Sequence, residues 1–205
     1  MQYLRRWRPP PIKTGAALAE FLDQRAAFVA QKSVFGYSYL KTRLPMQELM
    51  RDKPFADAFE VARWEAFAAV LADMVVIAEG MLRAPAGSRA PALVDRLTEL
   101  YSGVLGAHAL PAHRAQGWSA EIAALRERLA RIQLAPPLSA AAIGASSAER
   151  VYETLPIHES LRARDKPGLL ANVQFAIVGL YQEFDRRIDR MALVGDLLPP
   201  IGNEG

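Results

Sequence analysis

From Lys53 to Arg83 the chain runs almost without relief through apolar and small residues, and that run constrains everything around it. At helical spacing Phe59, Phe67, Val70, Met74, Ile77 and Met81 fall on one broad face, widened by Trp64, Leu71, Val75 and Leu82. Ala58, Ala62, Ala69, Ala72 and Gly80 line much of the opposite side. A helix that is apolar or small nearly all round has to be contacted from several directions, so the run predicts a central helix wrapped by others. Its longest apolar part, Ala66 to Leu82, is interrupted by Asp73 and Glu79. It therefore reads as a buried core helix rather than a membrane span. No stretch of the chain sustains period-two alternation, which argues against a sheet.

The phrase that introduces this helix occurs twice. Leu44-Pro45-Met46-Gln47-Glu48 leads to Arg51-Asp52-Lys53-Pro54. Leu155-Pro156-Ile157-His158-Glu159 leads, with two extra residues, to Arg164-Asp165-Lys166-Pro167. Proline disfavours helical geometry in the residue before it, so Leu-Pro should end one helix. Asp52 and Asp165 then suit the N-cap of the next, with proline in the first turn where its missing N–H costs nothing. Two helix–elbow–helix units follow as a candidate repeat. The second long helix would run from Asp165 to about Val194, with Leu169, Val173, Ile177, Leu180, Phe184, Ile188 and Met191 facing the core.

Elsewhere, Thr14 can cap a helix reaching about Leu44, with Gly36 as a place to bend. Ala92 to Leu110 reads as helix, and Ser119 as the cap of a surface helix bearing Ile122, Leu125, Leu129 and Ile132. Ala135 to Ser147 is rich in Pro, Ala, Gly and Ser and reads as a linker. Ser146 with Glu149 fits a capping box. The expected fold is all-α, a bundle of about six helices, three of them long. The expected organisation is a basic, Pro-rich arm over 1–13, one all-α domain over 14–194 and an extended tail over 195–205.

The sequence pI of 9.3 invites a nucleic-acid reading, which the placement of charge weakens. Arg5, Arg6, Arg8 and Lys13 lie in the first thirteen residues without an acid, whereas the remainder holds 21 basic against 22 acidic residues. The excess belongs to the arm, and a basic groove would show in the body as well. The absence of cysteine excludes disulfides and thiolate metal sites and fits a reducing cytoplasm. Three prolines follow the arginines where a secretory signal would need an apolar stretch.

Chemistry is thinly marked. The chain has no Gly-x-Ser-x-Gly, no Walker loop and no Gly-x-Gly-x-x-Gly. Glu-x-x-His and His-Glu-x-x-His are absent too, so neither a catalytic motif nor a metal or other cofactor is indicated. His108, His113 and His158 read as loop histidines. Asp73 lies in an apolar sector and needs a partner, while Glu60 and Arg63 can pair across one turn. Glu60, Arg63 and Asp73 are therefore candidates for a polar pocket. Arg51 and Lys53, like Arg164 and Lys166, flank helix starts that could attract an anion. Trp7 among Arg5, Arg6 and Arg8 could touch an anionic membrane surface or an acidic protein. Phe175, Val178 and Leu193 lie on the otherwise polar side of the last helix, where a second subunit could sit.

Two functions are compatible with these residues. One is a non-catalytic, cytoplasmic helical protein acting through protein–protein contacts, homodimerisation included, or as a membrane-peripheral protein through its arm. The alternative is a bundle that binds a small molecule or anion, or acts as an enzyme, in a polar pocket near Arg63 and Asp73. Nucleic acid is disfavoured as a partner.

Overall fold

A computed structural model of the chain describes residues 9–199. Arg5, Arg6, Trp7 and Arg8 of the arm lie outside the described residues, as does the end of the chain from residue 200. The described residues form an all-α bundle. Its helices are α1 (Gly15–Thr42), α2 (Met46–Leu49), α3 (Lys53–Ala86), α4 (Ala92–Gly106) and α5 (Ser119–Ile132). They continue as α6 (Ala140–Ile143), α7 (Ala145–Thr154), α8 (Glu159–Arg162), α9 (Lys166–Arg187) and α10 (Arg190–Leu197). Three of these, α2, α6 and α8, are single turns.

The helix over 53–86 is the centre of the fold. It packs against α1, α4, α5, α6, α7, α9 and α10, and most of its residues from Ala62 to Leu82 are buried. Phe59, Phe67, Val70, Met74 and Ile77 of the expected face are all buried, and so are Ala62, Ala66, Ala68 and Ala78. The alanines let neighbouring helices approach on the sides that large residues do not fill. No helix among the described residues is long and apolar enough to cross a membrane.

Thr14 caps α1 through its hydroxyl, which accepts from the Ala17 amide at 3.2 Å. The helix passes Gly36 unbroken and ends at Arg43, which takes a left-handed conformation (φ 57°) and donates its amide to the Tyr39 carbonyl. Both elbows pass from a helix stop through a short helical turn to a long helix with proline in its first turn, but the second inserts a further 3-10 turn, Ala163–Asp165, before that helix. The expected aspartate caps are only half realised. Asp52 and Asp165 occupy the N-cap positions, but neither side chain accepts a cap bond. Their backbones differ as well, with ψ of 108° and −5°. The two long helices also differ in role, because α9 buries only Leu169, Val173, Ile177, Leu180 and Phe184 and lies outside α3.

Further expectations need correction. The segment read as a linker is ordered into α6 and the start of α7, with the Ser139 hydroxyl accepting from the Ala142 amide at 3.2 Å. Ser146 and Glu149 lie inside α7 rather than forming a capping box, and Trp118 rather than Ser119 precedes α5. The helix expected to reach Val194 is broken at Ile188. There the chain pairs with the end of the arm: the Ile12 amide donates to the Arg187 carbonyl at 2.8 Å, and the Asp189 amide donates to the Ile12 carbonyl at 2.9 Å. Ile12 is buried in the core. Asp189 restarts the helix as the N-cap of α10, which runs on through Leu197 into the stretch expected to be extended.

Gly144 joins α6 to α7 where they cross α9. A Cβ at this position would stand 3.0 Å from the Cβ of Ile177, which is itself fully buried. The obstructing atom lies next to the α9 backbone and cannot swing away. Gly144→Ala is expected to cost about 1–3 kcal/mol in urea unfolding. A variant as stable as the parent would show that this crossing is loose.

Candidate functional site

The sequence places three carboxylates on the buried surface of α3: Glu65, Asp73 and Glu79. They fall within one broad sector of the helix and face the layer made by the 112–118 loop, α5, α6 and α7. Every one is answered. Glu65 accepts from the Arg114 Nε at 2.6 Å, from Arg150 at 2.6 Å and from His113 at 2.8 Å. Arg114 also pairs with Glu121 at 2.6 Å and lies over the Trp118 ring. Asp73 accepts from Arg128 at 2.6 Å through one oxygen and from the Ser147 amide at 3.0 Å through the other. Glu79 is held by Arg83 in a two-point pair at 2.8 and 2.6 Å, and Gln133 donates to it at 3.1 Å.

Two of these carboxyls are pushed in opposite directions. Burial alone would raise Glu65, but the hydrogen bonds from Arg114, Arg150 and His113 outweigh it and hold the group at about 2, below the ordinary 4.5. Burial raises Asp73, and Arg128 with Ser147 pulls it only part of the way back. The difference follows depth first and partners second: Asp73 is sealed more completely from water and is served by one guanidinium, whereas two guanidiniums and an imidazole serve Glu65.

The residues singled out from the sequence do not converge on one place. Glu60 and Arg63 pair with each other at 2.8 Å on a half-exposed part of α3. Asp73 is ten residues further along the helix, about 15 Å of axial rise, and is fully buried against Arg128. Arg63 and Asp73 therefore do not share a pocket wall. Lys53 pairs with Asp57 at 2.7 Å, and Lys166 pairs with Glu149 at 2.9 Å and lies over the Tyr152 ring. Arg51 and Arg164 are exposed, and among the described residues no carboxylate pairs with either. His108 is held by Asp23 at 2.7 Å against Trp64 and Phe67, and His158 accepts from the Ser160 amide. Among the described residues no group of three His, Asp or Glu side chains is placed to hold a metal ion.

Two other features present themselves to solvent. The first is aromatic. Phe28, Phe35 and Tyr39 of α1 are 57%, 41% and 49% exposed, and Phe175 of α9 is 79% exposed. Phe28, Phe35 and Tyr39 recur at seven and eleven residues, which is one stripe of a helix. Arg25 with Glu183 ties α1 to α9 at one level, and Tyr37 and Lys41 with Asp165 tie them at another. The two helices are thus antiparallel neighbours, with Phe28, Phe35 and Phe175 all between the ties. Of the contact residues anticipated from the sequence, Phe175 is exposed, Val178 is half-buried and Leu193 belongs to the core.

The second feature is a cavity of about 310 Å³ between the C-terminal half of α3, the 137–143 segment, α9 and α10. Its signal in the sequence is weak, since its walls come from five separate segments, Ile132 of α5 included. A shallower depression lies between α1, α4 and α10. Comparison with known proteins adds nothing to this geometry: no family model, no curated protein and no solved structure matches the chain.

The pairs on α3 have testable consequences. Because Glu65 is depressed in the folded state, its contribution to stability is present above pH 4.5 and is lost as the pH falls toward 2. That window is expected to carry roughly 3 kcal/mol of unfolding free energy, and Glu65→Gln should remove this part of the pH dependence. Arg128→Met would leave Asp73 buried without its cation, at a cost of about 3–5 kcal/mol at neutral pH. Adding Asp73→Asn should recover part of that loss in urea unfolding. Equal losses in the single and double variants would count against the pairing.

Proposed function

We propose that the protein is a non-catalytic helical interaction protein, and that it docks a protein partner through the outer face of α1 and α9. The observation that carries this reading is the set of exposed rings on those helices, Phe28, Phe35, Tyr39 and Phe175. Burying four aromatic rings at a contact is favourable by several kcal/mol, so exposing them without a partner is costly in solubility. The charge of the face selects the class of partner. Between the two ties α1 contributes Lys32 and no acid, and α9 contributes no acid between Asp165 and Glu183, its Lys166 being paired with Glu149. So sparse a basic charge suits an apolar protein surface and is poor for a phosphate backbone.

The competing pocket near Arg63 and Asp73 draws no support from the geometry, since Asp73 spends both oxygens on Arg128 and Ser147. A carboxylate engaged in that way is a register device rather than a ligand or a proton carrier. A membrane-surface role through Arg5, Arg6, Trp7 and Arg8 rests on residues outside those described and adds nothing here.

Native mass spectrometry of protein purified from its own host tests the proposal. The expected result is a mass above that of one chain, from a second copy or another protein. Replacing Phe28, Phe35 and Phe175 together by Ser should release the monomer while leaving the thermal unfolding transition cooperative. A wild-type protein that is purely monomeric would falsify the reading.

A further inference from the structure

The cavity over α3 is distinct from the aromatic rings and from the Glu65 and Asp73 pairs, borders only the Glu79–Arg83 pair, and has no part in the reading above. At about 310 Å³ it falls at the lower end of the range for small-ligand sites. Its floor is apolar, with Val76, Ile77 and Ile143 nearly closed to solvent. Its polar atoms are gathered on a few side chains: Glu79, Arg83, Tyr181 and Arg190. An apolar floor with a few convergent polar groups is the usual composition of a small-molecule site.

The sign of the ligand follows from how those groups are spent. Glu79 is satisfied by Arg83 and Gln133, so its charge is already answered within the fold. Arg83 uses three N–H groups, two on Glu79 and one on the Ala135 carbonyl, and has two left. Arg190 gives one N–H to Asp185, which is not part of the cavity wall, and has four left. The Tyr181 hydroxyl has no hydrogen-bond partner among the described residues and can donate. Each guanidinium is already paired with one carboxylate, Arg83 with Glu79 and Arg190 with Asp185, so what the wall has left to offer is donors: the remaining N–H groups of both arginines and the Tyr181 hydroxyl, with no unspent acceptor of comparable strength.

We infer that this cavity binds a small amphipathic carboxylate, its anionic head held by Arg190 and Tyr181 and its apolar body laid along Val76, Ile77 and Ile143. Leu138, over half exposed at the mouth, would close over the bound chain. The segment that carries Leu138 contains Pro136 and Pro137, which have no amide to pin it down. Binding is non-covalent and leaves the ligand unchanged.

Octanoate is the probe, with octanol and octylamine as neutral and cationic controls, titrated calorimetrically into the full-length protein. Octanoate is expected to saturate with a Kd of about 1 mM or tighter, ahead of both controls. Arg190→Met should weaken octanoate about tenfold and leave octanol unchanged. Tyr181→Phe should weaken octanoate less. Both residues are partly exposed, so neither change threatens the fold. Ala140→Trp should fill the cavity and abolish binding while the circular-dichroism melt stays cooperative. Octylamine binding as tightly as octanoate would overturn the inference. So would octanoate binding that is absent in the wild type, or unchanged by Arg190→Met.

Discussion

The bundle depends on three carboxylates buried along one helix. Apolar packing alone would let α5, α6 and α7 slide along α3, because alanine-rich surfaces offer many nearly equivalent contacts. Glu65, Asp73 and Glu79 remove that freedom. Each demands a partner, since an unpaired buried carboxylate is far costlier than a misplaced methyl group. The partners arrive from different places: Arg114 from the loop before α5, Arg128 and Gln133 from α5 and its end, Ser147 and Arg150 from α7. Arg128 goes further and reaches the Ile143 carbonyl, so one side chain joins α3, α5 and the end of α6. The net gain per pair is modest, because desolvation offsets most of the attraction. What the pairs contribute is one register out of many.

A second tie acts between the ends of the described chain. Ile12 inserts between Arg187 and Asp189 in backbone hydrogen bonding, and the Gly15 amide donates to Asp196 at 2.8 Å. Breaking α9 at Ile188 forfeits helical hydrogen bonds there, and the backbone pairing with Ile12 replaces them. Arg187 completes the arrangement by donating to the Pro10 carbonyl while lying over the Phe21 ring. The start of α1 and the end of the bundle are therefore stabilised together, and neither would hold its place alone.

Much of this was legible in the residues. The all-α class, the central helix over 53–86 and the helix stop–start grammar of both elbows follow from spacing and proline placement, which are local. What escaped was non-local. Asp73 announced that it needed a partner, but nothing in the sequence singles out Arg128 from the four arginines and two glutamates that crowd α5 and its approach. Glu65 is silent in the sequence, because its flanking Trp64 and Ala66 read as core and its three partners lie some fifty to eighty-five residues away. The break at Ile188 was hidden for the same reason: its cause is Ile12, far off at the other end. The Pro-Ala-Gly-Ser composition of 135–147 misled in the other direction, since Gly144 is there for its close approach to Ile177 rather than for flexibility.

The division between an over-determined interior and a lightly tied exterior bears on function. Around Glu65 and Asp73, where α3 meets α5 and α7, every buried charge is spent, and a ligand entering there would have to break a pair. The outer helix α9 is held to α1 by Arg25 with Glu183 and by Asp165 with Tyr37 and Lys41, pairs that remain partly open to water. Such pairs are weak and screened by salt, so they permit adjustment without loss of the fold. Aromatic surface is exposed on α1 and α9, and a separate cavity lies between α3, the 137–143 segment, α9 and α10. The buried carboxylates make this arrangement workable, because they hold the scaffold rigid while the surface around it remains free to adapt.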